Sequence, residues 1–146
     1  MPTIQVAREI AAPAAALFAL AQDYGQRLAW DPFLRGLRFL DGARAAAPGV
    51  RVAVQAHNGL RMEVRYTVVR PPEQVAVVME RGPRVFRSFA GAWIFRAIEG
   101  GRTRVAFRYH FRLPALLLPL GPLVGAILRR EMRRRLAGLA AGVGPR

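Results

Sequence analysis

The sequence contains no cysteine and no lysine, and its histidines are two. The lack of cysteine excludes disulfide frameworks, thiolate zinc sites, iron–sulfur clusters and a cysteine nucleophile together. His57 and His110 stand far apart among scattered carboxylates, so no metal-ligand cluster and no general-base pair can be read from their spacing. The glycines fall at turns and compose no phosphate-cradling loop. No metal, nucleotide or other cofactor is expected, and no catalytic residue announces itself.

Acidic residues are also few, nine against 23 basic ones, for a net charge of +14. Such an excess on a short chain ordinarily points to nucleic acid or an anionic membrane. Every basic residue is arginine, however, amid abundant Ala, Gly, Pro and Leu. That usage reads as the coding bias of a GC-rich genome, so the position of each arginine is more informative than the total. At 146 residues the chain is expected to form a single domain, residues 1–146, with one core. The start M-P-T-I-Q-V-A-R-E-I lacks the basic-then-apolar layout of a secretory signal, and a cytoplasmic location is expected.

Thr3 to Ile10 alternates as a strand. Pro13 suits a helix start, and Ala14 to Gln22 is rich in helix formers. Asp23 to Gly25 breaks that helix, and a second short one reaches about Leu28 before Trp30-Asp31-Pro32. From Phe33 to Leu113 the period becomes two. Breaks at Asp41-Gly42, Pro48-Gly49, Asn58-Gly59, Pro71-Pro72, Gly82-Pro83 and Gly100-Gly101 predict six strands. Asn58-Gly59 is the strongest hairpin signal, with a type I′ turn expected. The apolar faces are Val50, Val52 and Val54; then Met62, Val64, Tyr66 and Val68; then Val105, Phe107, Tyr109, Phe111 and Leu113.

Leu113 to Leu128 carries no charge, yet it is too short and too interrupted by proline and glycine to span a bilayer. From about Leu123 a helix should run towards Gly138. Its stripe of Leu120, Val124, Leu128, Met132 and Leu136 should meet the sheet, with Arg129, Arg130, Arg133 and Arg134 on the remaining face.

This order, with the stretches IAAPAAALFALAQDY (Ile10 to Tyr24), WDPF (Trp30 to Phe33), FAGAWIF (Phe89 to Phe95) and TRVAFRYHF (Thr103 to Phe111), resembles the START-like, or SRPBCC, superfamily. That superfamily includes polyketide cyclases and dehydrases, lipid-transfer domains and coenzyme-Q-binding proteins. The resemblance implies an α+β helix-grip fold: a curved antiparallel sheet of about seven strands wrapped around a long C-terminal helix, with two short helices after the first strand. It also implies a cavity between helix and sheet. The inward set would be Val52, Val54, Met62, Val64, Tyr66, Val77, Met79, Phe89, Trp93, Phe95, Phe107 and Tyr109. Trp30 would stand near the mouth, with Leu117 to Leu123, including Leu120, as a lid. Taken singly, each of these residues is better read as packing a solid core; for the set, the resemblance favours a cavity.

The function implied is binding and transport of a hydrophobic small molecule such as a lipid, an isoprenoid quinone or a polyketide. A polyketide cyclase, aromatase or dehydrase is the alternative, and a membrane-surface module without ligand the second. The uncharged segment before Arg129, Arg130, Arg133 and Arg134 suits transient contact with an anionic membrane at the inner face. Nucleic-acid binding is not expected, because alternation turns Phe107, Tyr109 and Phe111 away from the arginines between them. Asp23 and Asp31 read as a helix end and a turn. On one choice of strand phase, Arg8 and Glu80 would face the cavity as an ion pair.

Overall fold

A computed structural model describes residues 3–57 and 59–143. Seven antiparallel strands form one sheet, β1 (Thr3–Ile10), β2 (Leu34–Phe39), β3 (Arg51–Ala56), β4 (Arg61–Arg70), β5 (Gln74–Arg81), β6 (Ser88–Ile98) and β7 (Arg102–Arg112). Their spatial order is β1-β7-β6-β5-β4-β3-β2, so the first strand closes beside the last and the other neighbours are joined by turns. Two short helices, α1 (Ala14–Gln22) and α2 (Tyr24–Trp30), separate β1 from β2, and the chain ends in the long α3 (Gly121–Val143). This is the helix-grip architecture that the order of elements implied.

Local chemistry accounts for the helical corner. Asp23 caps α1 at its end and α2 at its start, its carboxylate accepting from the Gly25 amide at 3.0 Å. Pro32 disfavours the helical conformation at Asp31, which is extended, and α2 stops one residue earlier. The buried Thr103 hydroxyl donates to the Ala12 carbonyl at 2.8 Å and so ties the start of β7 to the link between β1 and α1.

The strands alternate as expected, apart from register irregularities at Leu34/Gly36 of β2 and at Glu63/Val64 and Tyr66/Val68 of β4. A register irregularity between Tyr66 and Val68 changes the phase of β4, so Val69, not Val68, packs on the core. β6 pairs with β7 without a register shift. The strand begins at Ser88, and Val85 and Phe86 fold back from the preceding loop against the core. Gly59 has a positive φ of 91°, as the β3–β4 hairpin requires, while the expected type I′ geometry involves Asn58, which lies outside the described residues.

The outer face absorbs many of the charges. Arg51 donates to Glu80 at 2.9 Å, Glu63 at 2.9 Å and Asp41 at 3.2 Å, and Arg65 reaches Glu80 at 3.0 Å. Glu80 therefore belongs to an outer network and makes no pair with Arg8, which is exposed on β1. Both histidines are exposed too, His110 sharing a 2.7 Å hydrogen bond with Thr3.

Helix α3 packs against β1, β7 and the two short helices. It begins two residues earlier and runs further than the sequence suggested. Only its C-terminal part is fully engaged: Met132, Leu136 and Leu139 are buried, whereas Leu123 and Ile127 are more than half exposed. No helix among the described residues is long and apolar enough to cross a membrane.

Candidate functional site

Because α3 lies towards β1, it leaves the concave face over β3 to β6 only partly filled. A cavity of about 300 Å³ opens there, at the small end of the range for ligand sites. Its wall comprises Val52 and Val54 of β3, Met62, Val64 and Tyr66 of β4, Val75 and Val77 of β5, Phe89, Gly91 and Trp93 of β6, and Phe107 and Tyr109 of β7. Val124, Ile127 and Leu128 of α3 close the other side. The strand alternation thus brings together most of the expected set. Rings build the deep wall: Trp93 stacks on Phe107 with centroids 3.9 Å apart, and Phe89 meets Tyr109 edge-on at 4.7 Å. Gly91 makes room for this, since a Cβ there would come within 3.3 Å of the Tyr109 ring.

Five expected residues stand off the wall. Trp30 is buried behind it, edge-on to Trp93 and against α3, rather than at a mouth. Phe95 extends the same face but packs on Phe18 of α1. Met79 sits at the far end of β5 beside Gly82. Leu117 rests on the core from outside, and Leu120 is 46% exposed in the 3-10 helix Ala115–Leu120, so this segment does not cover the cavity as the expected lid.

The polar groups of the wall form two clusters. In the first, the Tyr66 hydroxyl donates to Gln22 Oε1 at 3.1 Å and shares a 2.5 Å hydrogen bond with the Tyr24 hydroxyl. A phenol has one hydrogen to give, so Tyr24 is the donor to Tyr66. Burial raises both phenols above their ordinary value, and they remain neutral.

The second cluster is ionic and buried. Asp31, 1% exposed, lies between two guanidiniums: Arg135 Nε and Nη2 reach its carboxylate at 3.0–3.1 Å, and Arg27 Nε at 3.0 Å. Arg135 Nη1 donates to the Tyr109 hydroxyl at 2.7 Å, and Arg27 Nη1 to the Ala21 carbonyl at 2.6 Å. Both guanidiniums lie over aromatic faces, Arg135 over Phe107 at 4.8 Å and Arg27 over Trp30 at 5.1 Å. Burial opposes ionisation of Asp31, but the charge of Arg135, then that of Arg27, and the hydrogen bonds from both hold its carboxyl below the usual range. Burial pushes the Tyr109 phenol up.

Asp31 is therefore no simple turn residue, and neither Arg27 nor Arg135 stood out as a site residue in the sequence. A signal existed for Arg135. It lies seven residues after the partly buried Leu128, three after the buried Met132 and four before the buried Leu139, on the helix face where an arginine needs a counter-ion. Arg27 and Asp31, four apart on a short helix, could have been read as an intrahelical pair. The expected membrane-contact arginines do lie on the outer surface, Arg130, Arg133 and Arg134 exposed and Arg129 half-buried, its guanidinium reaching the Gln5 carbonyl at 3.3 Å.

Comparison with known proteins agrees with this geometry. No curated protein matches the sequence. Among solved structures, the chain is similar to a START superfamily protein from Mycobacterium smegmatis, with 14% identity and a TM-score of 0.80 over 97% of this chain and 96% of that one. It is similar to a Thermus thermophilus protein at 23% identity and TM-score 0.78, over 96% and 95% of the two chains. The Zhui aromatase/cyclase from Streptomyces sp. R1128 shares 15% identity at TM-score 0.81, over 97% and 92%. These likenesses show the fold. Residues 1–144, nearly the whole chain, match the model of the polyketide cyclase / dehydrase and lipid transport family, and the chain is a member of that family.

Proposed function

We propose that the protein binds a hydrophobic small molecule between its sheet and α3, and that its role is to hold or carry that molecule. The observation that supports this reading most directly is the cavity itself, walled by valines and stacked aromatics with a few polar groups in two clusters. In this reading Val52, Val54, Met62, Val64, Tyr66, Val77, Phe89, Trp93, Phe107 and Tyr109 are the contact residues. Lipids, isoprenoid quinones and polyketide-like molecules share the required apolar body. The test is native mass spectrometry of the purified protein beside mass spectrometry of its organic extract. A stoichiometric apolar ligand, or saturable binding from a panel of those three classes, is expected. Failure to bind any of them would reduce the cavity to a packing defect.

A second element of the proposal concerns entry. Leu116 is 93% exposed and Leu118 62%, and with Leu120, Leu123 and Ile127 they precede or flank the arginine-rich face of α3. Ile127 also belongs to the cavity wall. Apolar side chains beside cations adsorb to anionic lipid by burial and charge together. Docking there would open the cavity towards a membrane. Replacing Arg129, Arg130, Arg133 and Arg134 with Gln is expected to abolish sedimentation with phosphatidylglycerol vesicles. Unchanged sedimentation would sink this element and leave ligand binding intact.

A further inference from the structure

The ionic cluster does not balance. Two guanidiniums share one carboxylate at the edge of a largely apolar cavity, and Arg27 and Arg135 both contribute to its wall. Arg135 has all three nitrogens engaged, with Asp31 and Tyr109. Arg27 spends Nε on Asp31 and Nη1 on Ala21, while its Nη2 makes no hydrogen bond among the described residues. The Tyr109 hydroxyl accepts from Arg135, so its own hydrogen is still to be given. Glu131 also borders the cavity but turns to Arg134 at 3.4 Å, out on the surface. The wall thus holds one unneutralised positive charge and unspent donors on Arg27 and Tyr109. An uncompensated buried charge is costly, and a ligand that neutralises it is favoured over one that does not.

We propose that the cavity selects an amphiphile with a carboxylate head, which accepts from Arg27 Nη2 and the Tyr109 hydroxyl while its apolar body lies against Val52, Val64 and Val77. A single surplus charge matches a monoanion rather than a phosphate dianion. The tyrosine cluster does not compete for this head, because Tyr24 and Tyr66 spend their hydrogens on each other and on Gln22. The inference rests on the proposed hydrophobic binding and adds the head-group chemistry.

Isothermal titration of the full chain with decanoic acid, methyl decanoate and decanol at neutral pH separates the two. The acid is expected to bind roughly tenfold or more tightly than the ester or the alcohol. Equal affinities would overturn the carboxylate preference while sustaining the hydrophobic cavity. Binding by none of the three would remove both. Arg27→Met supplies the complementary measurement. It leaves Asp31 and Arg135 as a one-to-one pair, so the protein is expected to stay folded and to lose the tenfold preference for the acid over the ester. A folded variant that still prefers the acid would refute the assignment to Arg27, and should the variant not fold, the wild-type comparison among the three ligands decides alone.

Discussion

From Met132 to Leu139, α3 is pinned: Met132, Leu136 and Leu139 are buried, Arg135 grips Asp31, and Gly138 lies against α2 so closely that a Cβ would overlap the Trp30 carbonyl oxygen. From Gly121 to Leu128 the same helix touches little on one side. Leu123 and Ile127 are exposed, and a Cβ on Gly125 would meet nothing within 4 Å. One end of the helix fixes the fold and the charged edge of the cavity, while the other is only partly committed to the sheet. A rigid anchor and a loosely held span over a cavity suit the proposed ligand binding, which needs a way for the ligand to enter.

The sharpest way to break the anchored half is Asp31→Asn. The variant keeps the shape but leaves two buried guanidiniums without a counter-charge, and such a loss costs about 3–5 kcal/mol. Urea denaturation followed by Trp fluorescence measures it, and a loss well under this range would mean that water already reaches the cluster. The same residue sets an acid limit. Its folded pKa lies below the ordinary 3.8, so its contribution is full at neutral pH, begins to fall as pH approaches 3.8 and disappears as pH drops through the folded value. Asp31→Asn is expected to flatten that part of the stability profile, and a profile that stays as steep would assign the acid sensitivity to other carboxylates.

Glycine distinguishes the two halves by sign. Alanine in place of helical glycine ordinarily stabilises by up to about 1 kcal/mol. At Gly125, with open space around it, Gly125→Ala should raise stability by about 0.5–1 kcal/mol. At Gly138 the obstacle is backbone, which cannot swing aside, and overpacking of this kind costs about 1–3 kcal/mol. Gly138→Ala is therefore expected to lower the thermal midpoint where Gly125→Ala raises it. Equal signs would show that the two halves of α3 are held alike.

The contrast also marks where the sequence could be read. Strand alternation put Val52, Val64, Phe107 and Tyr109 on one face, and turn chemistry located every hairpin, because both are local rules. The irregularity at Tyr66 to Val68 was hidden, since Val68 and Val69 are interchangeable to a hydropathy pattern. Trp30 and Leu120 were misjudged for a different reason. Whether a large apolar residue lines a cavity, backs it or stands in solvent depends on where α3 rests, and Gly138 determines that through a contact 108 residues away in sequence from Trp30. The ionic cluster was hidden among many arginines. Arg135 is one of a run of three, and only its helical phase separates it from Arg133 and Arg134, which face solvent.

The smallest effect on stability is expected at the free end. Leu116, Leu118 and Leu123 are 93%, 62% and 57% exposed, so each removes little apolar surface from water in the folded state. Serine at all three positions should leave the thermal midpoint nearly unchanged, within about 0.5 kcal/mol per site. If these leucines dock on lipid, the triple variant should lose sedimentation with anionic vesicles while keeping its affinity for a soluble apolar ligand. A large fall in stability instead would mean that the segment packs on the protein in solution, closing the cavity, and the difference between the two halves of α3 would then be one of conformation rather than of construction.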